Sequence, residues 1–214
     1  MKFKDRRTAG MQLAEKLREY AGASTVIYAL PRGGVVPGVE VARLLRAPLD
    51  VVIARKIGHP VFPEYAIAAV TEKGDPIVNA AEAAAADPAW MRDAIAEARA
   101  EARRRRERYC GTRPPISPEG KTAIVVDDGI ATGLTMRAAL AEIRQRHPAH
   151  VIAAVPVAPR DAVADLSDLA DRIVTVAIPE DPFGAIGEYY EEFPQVADDE
   201  VAALLKEAAA LRIS

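Results

Sequence analysis

The chain has 214 residues, half of them hydrophobic, with 28 Lys and Arg against 31 Asp and Glu for a formal net charge of −3; that is enough for one α/β core with a small lobe and cramped for two domains. The mixed-sign charge argues against binding nucleic acid or an anionic membrane, and the lone Cys110 excludes an internal disulfide. No run reaches the roughly 20 apolar residues of a membrane span, and the start lacks the apolar stretch of a signal peptide, so a cytoplasmic protein is expected.

Helical periodicity over Arg6 to Tyr20 leads into an apolar, β-branched run at Thr25 to Leu30. That run ends in Pro31-Arg32-Gly33-Gly34, a glycine loop feeding a helical stretch at Val36 to Leu45. The loop offers an anion one cation and exposed N–H groups, although an ordinary βα turn reads the two glycines equally well. A second strand, Leu49 to Ala54, delivers Arg55 and Lys56 to the same sheet edge, either to meet an anion or as solvated surface charge. His59 has no His or Cys nearby with which to build a zinc site.

Residues 56–121 are too many for a simple crossover. They read as a β-hairpin near Ala66 to Val78, turning at Lys73-Gly74-Asp75, followed by one long helix from Pro88 to Arg108, with the Ala80 to Ala86 tract as a helix start. An insertion of this length beside a cleft suits a lid. Arginines 99, 103 to 106 and 108, interleaved with Glu97, Glu101 and Glu107, are expected mostly on a solvated helical face.

The third core strand, Thr122 to Val126, runs into Asp127-Asp128-Gly129-Ile130-Ala131-Thr132-Gly133-Leu134-Thr135. At the C-terminal edge of a parallel sheet two adjacent carboxylates suit a vicinal diol. The small-residue loop, the helix N-terminus behind it and the hydroxyls of Thr132 and Thr135 suit a phosphate. The plainer alternative is a helix cap and a tight turn. The loop lacks both the Walker and the Gly-x-Gly-x-x-Gly fingerprints.

Beyond it come a helix at Leu134 to Gln145, a strand at Val151 to Val157, a helix at Arg160 to Leu169, a strand at Ile173 to Ile178 and a last helix from Asp198 to Leu211. The strands are apolar throughout, as strands covered on both faces are, and helices separate most of them. The expectation is therefore a single domain, 1–214. Its class is α/β, doubly wound, with a mainly parallel five-stranded sheet, flanking helices, a long hairpin-plus-helix insertion at about 56–121 and a small C-terminal hood at about 179–214. In that hood Tyr189, Tyr190 and Phe193 either stack on a planar ligand or pack the tail onto the core.

The stretch from Thr122 to Thr135 closely resembles the signature by which type I phosphoribosyltransferases bind 5-phosphoribosyl-1-diphosphate (PRPP). The wider pattern is similar to a subgroup whose acceptor is undefined. The resemblance implies that Asp127 and Asp128 contact the ribose hydroxyls and help hold Mg²⁺ indirectly, and that Gly129, Ile130, Ala131, Thr132, Gly133 and Thr135 hold the 5′-phosphate. It further implies that Arg32, Gly33 and Gly34 form a diphosphate loop with a cis peptide near Pro31 to Gly33, and that Arg55 and Lys56 neutralise the departing diphosphate. Tyr189, Tyr190 and Phe193 become candidates for a hood over the acceptor. The implied activity is Mg²⁺-dependent transfer of the phosphoribosyl group to a nitrogenous base in nucleotide metabolism. Homodimers are common in that class, and the alternative is a non-catalytic PRPP-binding regulator.

Overall fold

A computed structural model describes residues 2–22, 24–79, 86–180 and 183–210. The chain opens with α1 (Arg6–Lys16), started by Asp5, whose carboxylate accepts from the Thr8 amide at 2.6 Å. A 3₁₀ turn at Arg18–Tyr20 ends it, so the expected helix to Tyr20 breaks at Leu17. There follow β1 (Thr25–Ala29), α2 (Val35–Leu45), β2 (Leu49–Val51), β3 (Ala54–Gly58), β4 (Ala66–Thr71), β5 (Ile77–Val78) and α3 (Pro88–Cys110). The chain continues with β6 (Thr122–Val126), α4 (Leu134–Arg144), β7 (His150–Val157), α5 (Arg160–Ala164), β8 (Arg172–Ala177) and α6 (Asp198–Ala210).

Five strands form one sheet in the order β2-β1-β6-β7-β8, and every neighbouring pair is parallel. Side chains alternate between its faces. Ile27, Ala29, Ile124, Val126, Ile152 and Ala154 face the layer of α1, α2 and α6, while Val26, Tyr28, Ala123, Val125, Val151 and Ala153 face α4 and α5. Burial on both faces is why these strands read as unbroken apolar runs. Helix α5 is shorter than expected, since the chain turns after Ala164, where the Ser167 hydroxyl bonds back to the Ala164 carbonyl at 2.7 Å.

The second expected strand, Leu49 to Ala54, is in fact two. The main-sheet strand ends at Val51, and β3 leaves to join an antiparallel sheet ordered β3-β4-β5. The insertion therefore holds three strands rather than a hairpin alone. One face of this small sheet, with Ile57, Ala68 and Val70, packs on Trp90, Met91, Ala94, Ile95 and Ala98 of α3. The other lies toward α4. Within the Ala80 to Ala86 tract, residues 80–85 fall outside the described part of the chain.

One arginine of the run turns inward, against the expectation of a solvated face. Arg106 donates to the Val51 carbonyl at 3.0 Å and to both oxygens of the fully buried Asp50 at 3.1 and 3.2 Å. Asp50 also accepts from the Ile116 amide at 2.8 Å, and Arg99 reaches the Gly74 carbonyl at 2.8 Å. The bonds to Asp50 and Val51 tie α3 and the segment after it to the edge of the main sheet, and the bond from Arg99 holds α3 to the turn between β4 and β5. The segment between β3 and β4 contrasts with them: Val61 and Phe62 are 70% and 65% exposed.

Candidate functional site

Asp127 and Asp128 leave β6 at the C-terminal edge of the sheet, where the sequence places them. The next turn is fixed by Ile130, whose side chain is buried and whose amide donates to the Val157 carbonyl at 2.9 Å. Ile130 thus anchors the loop and its N–H does not face an anion. Gly133 takes a φ of +73° at the start of α4, a conformation that favours glycine. The helix's first amides, which lack intrahelical partners, close the turn beside it. The result is a cup of about 120 Å³ lined by Lys56, residues 127–133, Thr135 and Ile186.

The two acids differ. Asp128 is 8% exposed and its Oδ2 accepts from Arg6 Nε at 2.6 Å. Arg6 also donates through Nη1 to the Pro194 carbonyl at 2.6 Å, and its guanidinium lies 3.5 Å from the centroid of the Phe193 ring. The backbone carbonyl of Asp128 accepts from the Tyr190 hydroxyl at 2.5 Å. Among the described residues Asp127 has no ion pair of this kind, and the Lys56 charge only partly offsets what raises its carboxyl. Burial, and then the charge of Asp128, push its carboxyl well above the usual carboxylate range. The pair thus combines an Asp128 clamped by Arg6 with an Asp127 biased toward its protonated form.

The loop after β1 sits directly against this pair. Its Pro31–Arg32 peptide is cis. A methyl group on Gly33 would overlap Asp128 Oδ2 and lie 3.1 Å from Arg6 Nε, and one on Gly34 would lie 2.8 Å from Asp127 Oδ1. Gly33→Ala is expected to push the two loops apart, to be read as loss of ligand binding at the cup with far-UV dichroism unchanged. The Arg32 side chain turns toward the start of α6, 3.8 Å from Asp198 Oδ1, which also accepts from the Tyr109 hydroxyl at 2.6 Å.

The two cations of β3 are placed differently. Lys56 lines the cup with the acids and also borders the cavity beside α3, whereas Arg55 lines only the latter. The aromatic candidates divide as well. Tyr190 is buried, stacked on Phe193 at 4.7 Å and tilted against Phe3 at 5.4 Å. With Tyr190 against Phe193 and Arg6 over its ring, both residues join the N-terminus to the tail. Tyr189 is half-exposed and stacks on Phe183 at 4.9 Å, and Ile186 reaches the rim of the cup. Tyr190→Phe is expected to cost about 1 kcal/mol and about 3 °C in Tm by calorimetry.

Arg6 and Ile186 are the site residues that sequence reasoning missed. Ile186 stands in the aromatic tail segment but is itself apolar, and nothing in residues 1–10 marks Arg6 apart from its neighbours Lys4 and Arg7.

Residues 4–192 match the phosphoribosyl transferase domain family, and the chain belongs to that family. It is 42% identical over 213 residues to a provisionally named phosphoribosyl transferase of Mycobacterium tuberculosis, covering 96% of this chain and 47% of that protein. The chain thus spans about half the length of the curated relatives it matches. Among solved structures, TT1426 from Thermus thermophilus superposes with a TM-score of 0.81 at 43% identity, covering 97% of this chain and 99% of that one. AQ2163 from Aquifex aeolicus, 13% identical with a TM-score of 0.50 over 82% of this chain and 73% of its own, shares the fold.

Proposed function

We propose that the chain binds PRPP in the cup and transfers its phosphoribosyl group to a nitrogenous base, releasing diphosphate. The observation that carries this reading is the contact between two loops of different chemistry. A turn of small residues at a helix N-terminus suits a 5′-phosphate, the adjacent carboxyls suit the ribose diol, and the Pro31 to Gly34 loop lies against those carboxyls where a diphosphate on C1 would fall.

Asp127 and Asp128 hold the ribose hydroxyls, with Arg6 keeping Asp128 oriented. Gly129, Ala131, Thr132, Gly133 and Thr135 take the phosphate, and Ile130 fixes the turn. Arg32, Gly33 and Gly34 take the diphosphate, and Lys56 balances the charge that develops as it leaves. Ile186 and Tyr189 stand where the acceptor would enter. Positioning and electrostatics supply the catalysis, because C1 develops oxocarbenium-like charge without a protein nucleophile.

Among the described residues no cluster of three or more His, Cys, Asp or Glu forms a metal cage. The acid pair offers hard carboxylate oxygens, one of them taken by Arg6, which fits Mg²⁺ held chiefly by substrate oxygens and water. When bound it would offset diphosphate charge. Any closure over the cup falls to residues 59–65 rather than to α3, which Arg106 holds to the edge of the main sheet.

Calorimetric titration with PRPP, with and without Mg²⁺, followed by a diphosphate-release screen over purine, pyrimidine and pyridine bases, tests the proposal. Saturable Mg²⁺-dependent binding and release with one base are expected; binding without release for any base would leave a regulatory PRPP sensor, and no binding would end the proposal. Lys56→Ala is expected to lower kcat/KM about 100-fold, with a smaller loss in Arg55→Ala, whose side chain lies on the opposite face of β3.

A further inference from the structure

Behind β3, on the face turned from the cup, lies a second cavity of about 600 Å³ between that strand and α3. It is a groove because the α3 side chains that line it, Ala94 and Ala98, are short, with Ile57 on the opposite wall. Its ends differ in chemistry. At one stands Trp90, half-buried and the chain's single tryptophan. Arg55, Glu101 and Arg104 line the other, and Lys56 borders the groove as well as the cup. Trp90 and Glu101 are separated by about 16 Å along the helix at 1.5 Å per residue.

The cationic end is short of an anion. Arg55 Nε is buried and has no hydrogen-bond partner among the described residues. Glu101 does not satisfy it, since both its oxygens are taken by Arg104 at 2.7 and 2.9 Å and by Arg105 at 2.8 Å. Burial, and then the charge of Arg105, press against the Arg55 cation. A guanidinium stays charged in proteins, so its buried N–H costs free energy until an acceptor arrives. Carboxylate and phosphate oxygens match its fork.

A guanidinium with an unsatisfied buried Nε and an indole in one groove of this length select for a ligand with an anionic group at one end and a planar ring at the other. We propose that this groove binds a nucleoside 5′-monophosphate, with the phosphate on Arg55, the ring against Trp90 and Glu97 at the rim accepting from a hydroxyl or amino group. The volume lies within the range of small-molecule sites. The site does not depend on PRPP binding in the cup. The two are linked through β3: Lys56, next to Arg55 on that strand, lines both cavities, so occupancy of the groove is read at the cup.

Trp90 emission reports on the groove directly. A nucleoside monophosphate also belongs to the product class of the proposed transfer, so the full chain is titrated with AMP both as wild type and as Asp127→Asn, which impairs the cup. Saturable quenching is expected in both, with inorganic phosphate and adenosine each binding at least tenfold more weakly. Arg55→Gln should weaken AMP at least tenfold, and Ala98→Leu, which fills the groove from the helix side, should do the same by an independent route. Unchanged thermal melts certify both variants. The proposal is overturned by absence of saturable quenching at millimolar AMP, by quenching that survives both groove variants, or by quenching lost in Asp127→Asn and retained in Arg55→Gln. Failure of PRPP to bind would leave these outcomes unaffected.

Discussion

Arg6→Ala is expected to lower stability by about 3 kcal/mol, a fall of about 9 °C in Tm for a chain of this size, and to reduce PRPP-dependent turnover about 100-fold. Arg6 is about nine-tenths buried with its partner Asp128, and alanine leaves that carboxylate enclosed without its cation. The same change removes the bond to the Pro194 carbonyl and the contact with the Phe193 ring. Freed of Arg6, Asp128 loses its fixed orientation and its paired cation, so the loss should fall on PRPP binding. Arg6→Lys retains charge without the fork and should recover part of the PRPP affinity while recovering less of the stability. A purely structural Arg6 would change Tm and leave the Kd for PRPP where it was. Asp128→Asn is a poor probe by comparison, because it disturbs the same buried pair and mixes folding with function.

Asp127→Asn is expected to act in opposite directions on function and stability. The Asp127 carboxyl is raised above its ordinary value near 3.8 by burial and by the charge of Asp128. The folded chain consequently holds a proton that the unfolded chain gives up as pH rises past about 4, and stability falls across that window as the pH increases. The amide removes both the repulsion and the cost of enclosing a charge. Tm at pH 7 should rise and its decline between pH 4 and 7 should flatten. Turnover should fall about 100-fold, since the amide cannot become a carboxylate against the ribose diol and its associated cation. Binding of Mg²⁺ and PRPP to the wild type should release a proton, visible as a binding enthalpy that varies with buffer, and the variant should lose that dependence. A lower Tm in Asp127→Asn would mean that the carboxyl is a helix cap after all.

The sheet is legible in the sequence because its strands are buried on both faces. Thr25 to Leu30, Thr122 to Val126 and Val151 to Val157 each match an observed strand to within a residue. A run of β-branched residues carries that information locally. The turn from Asp127 to Thr135 is legible for a similar reason, since strand, acids, glycines and helix start are consecutive. β3 is hidden from sequence reasoning because Ala54 to Gly58 is amphipathic on neither period and gains its pairing from β4 alone. Arg106 looks like the other arginines of its run, because its partner Asp50 lies 56 residues away.

By itself the sequence determined the layered α/β architecture, the succession of main-sheet strands and the acid-and-glycine turn, all of which depend on residues adjacent in the chain. Tertiary structure decided which charges meet: Arg6 with Asp128 across 122 residues, Arg106 with Asp50, and Lys56 in the cup with Arg55 behind it. Electrostatic partners are chosen by distance and burial, and neither is written in the spacing of residues along the chain.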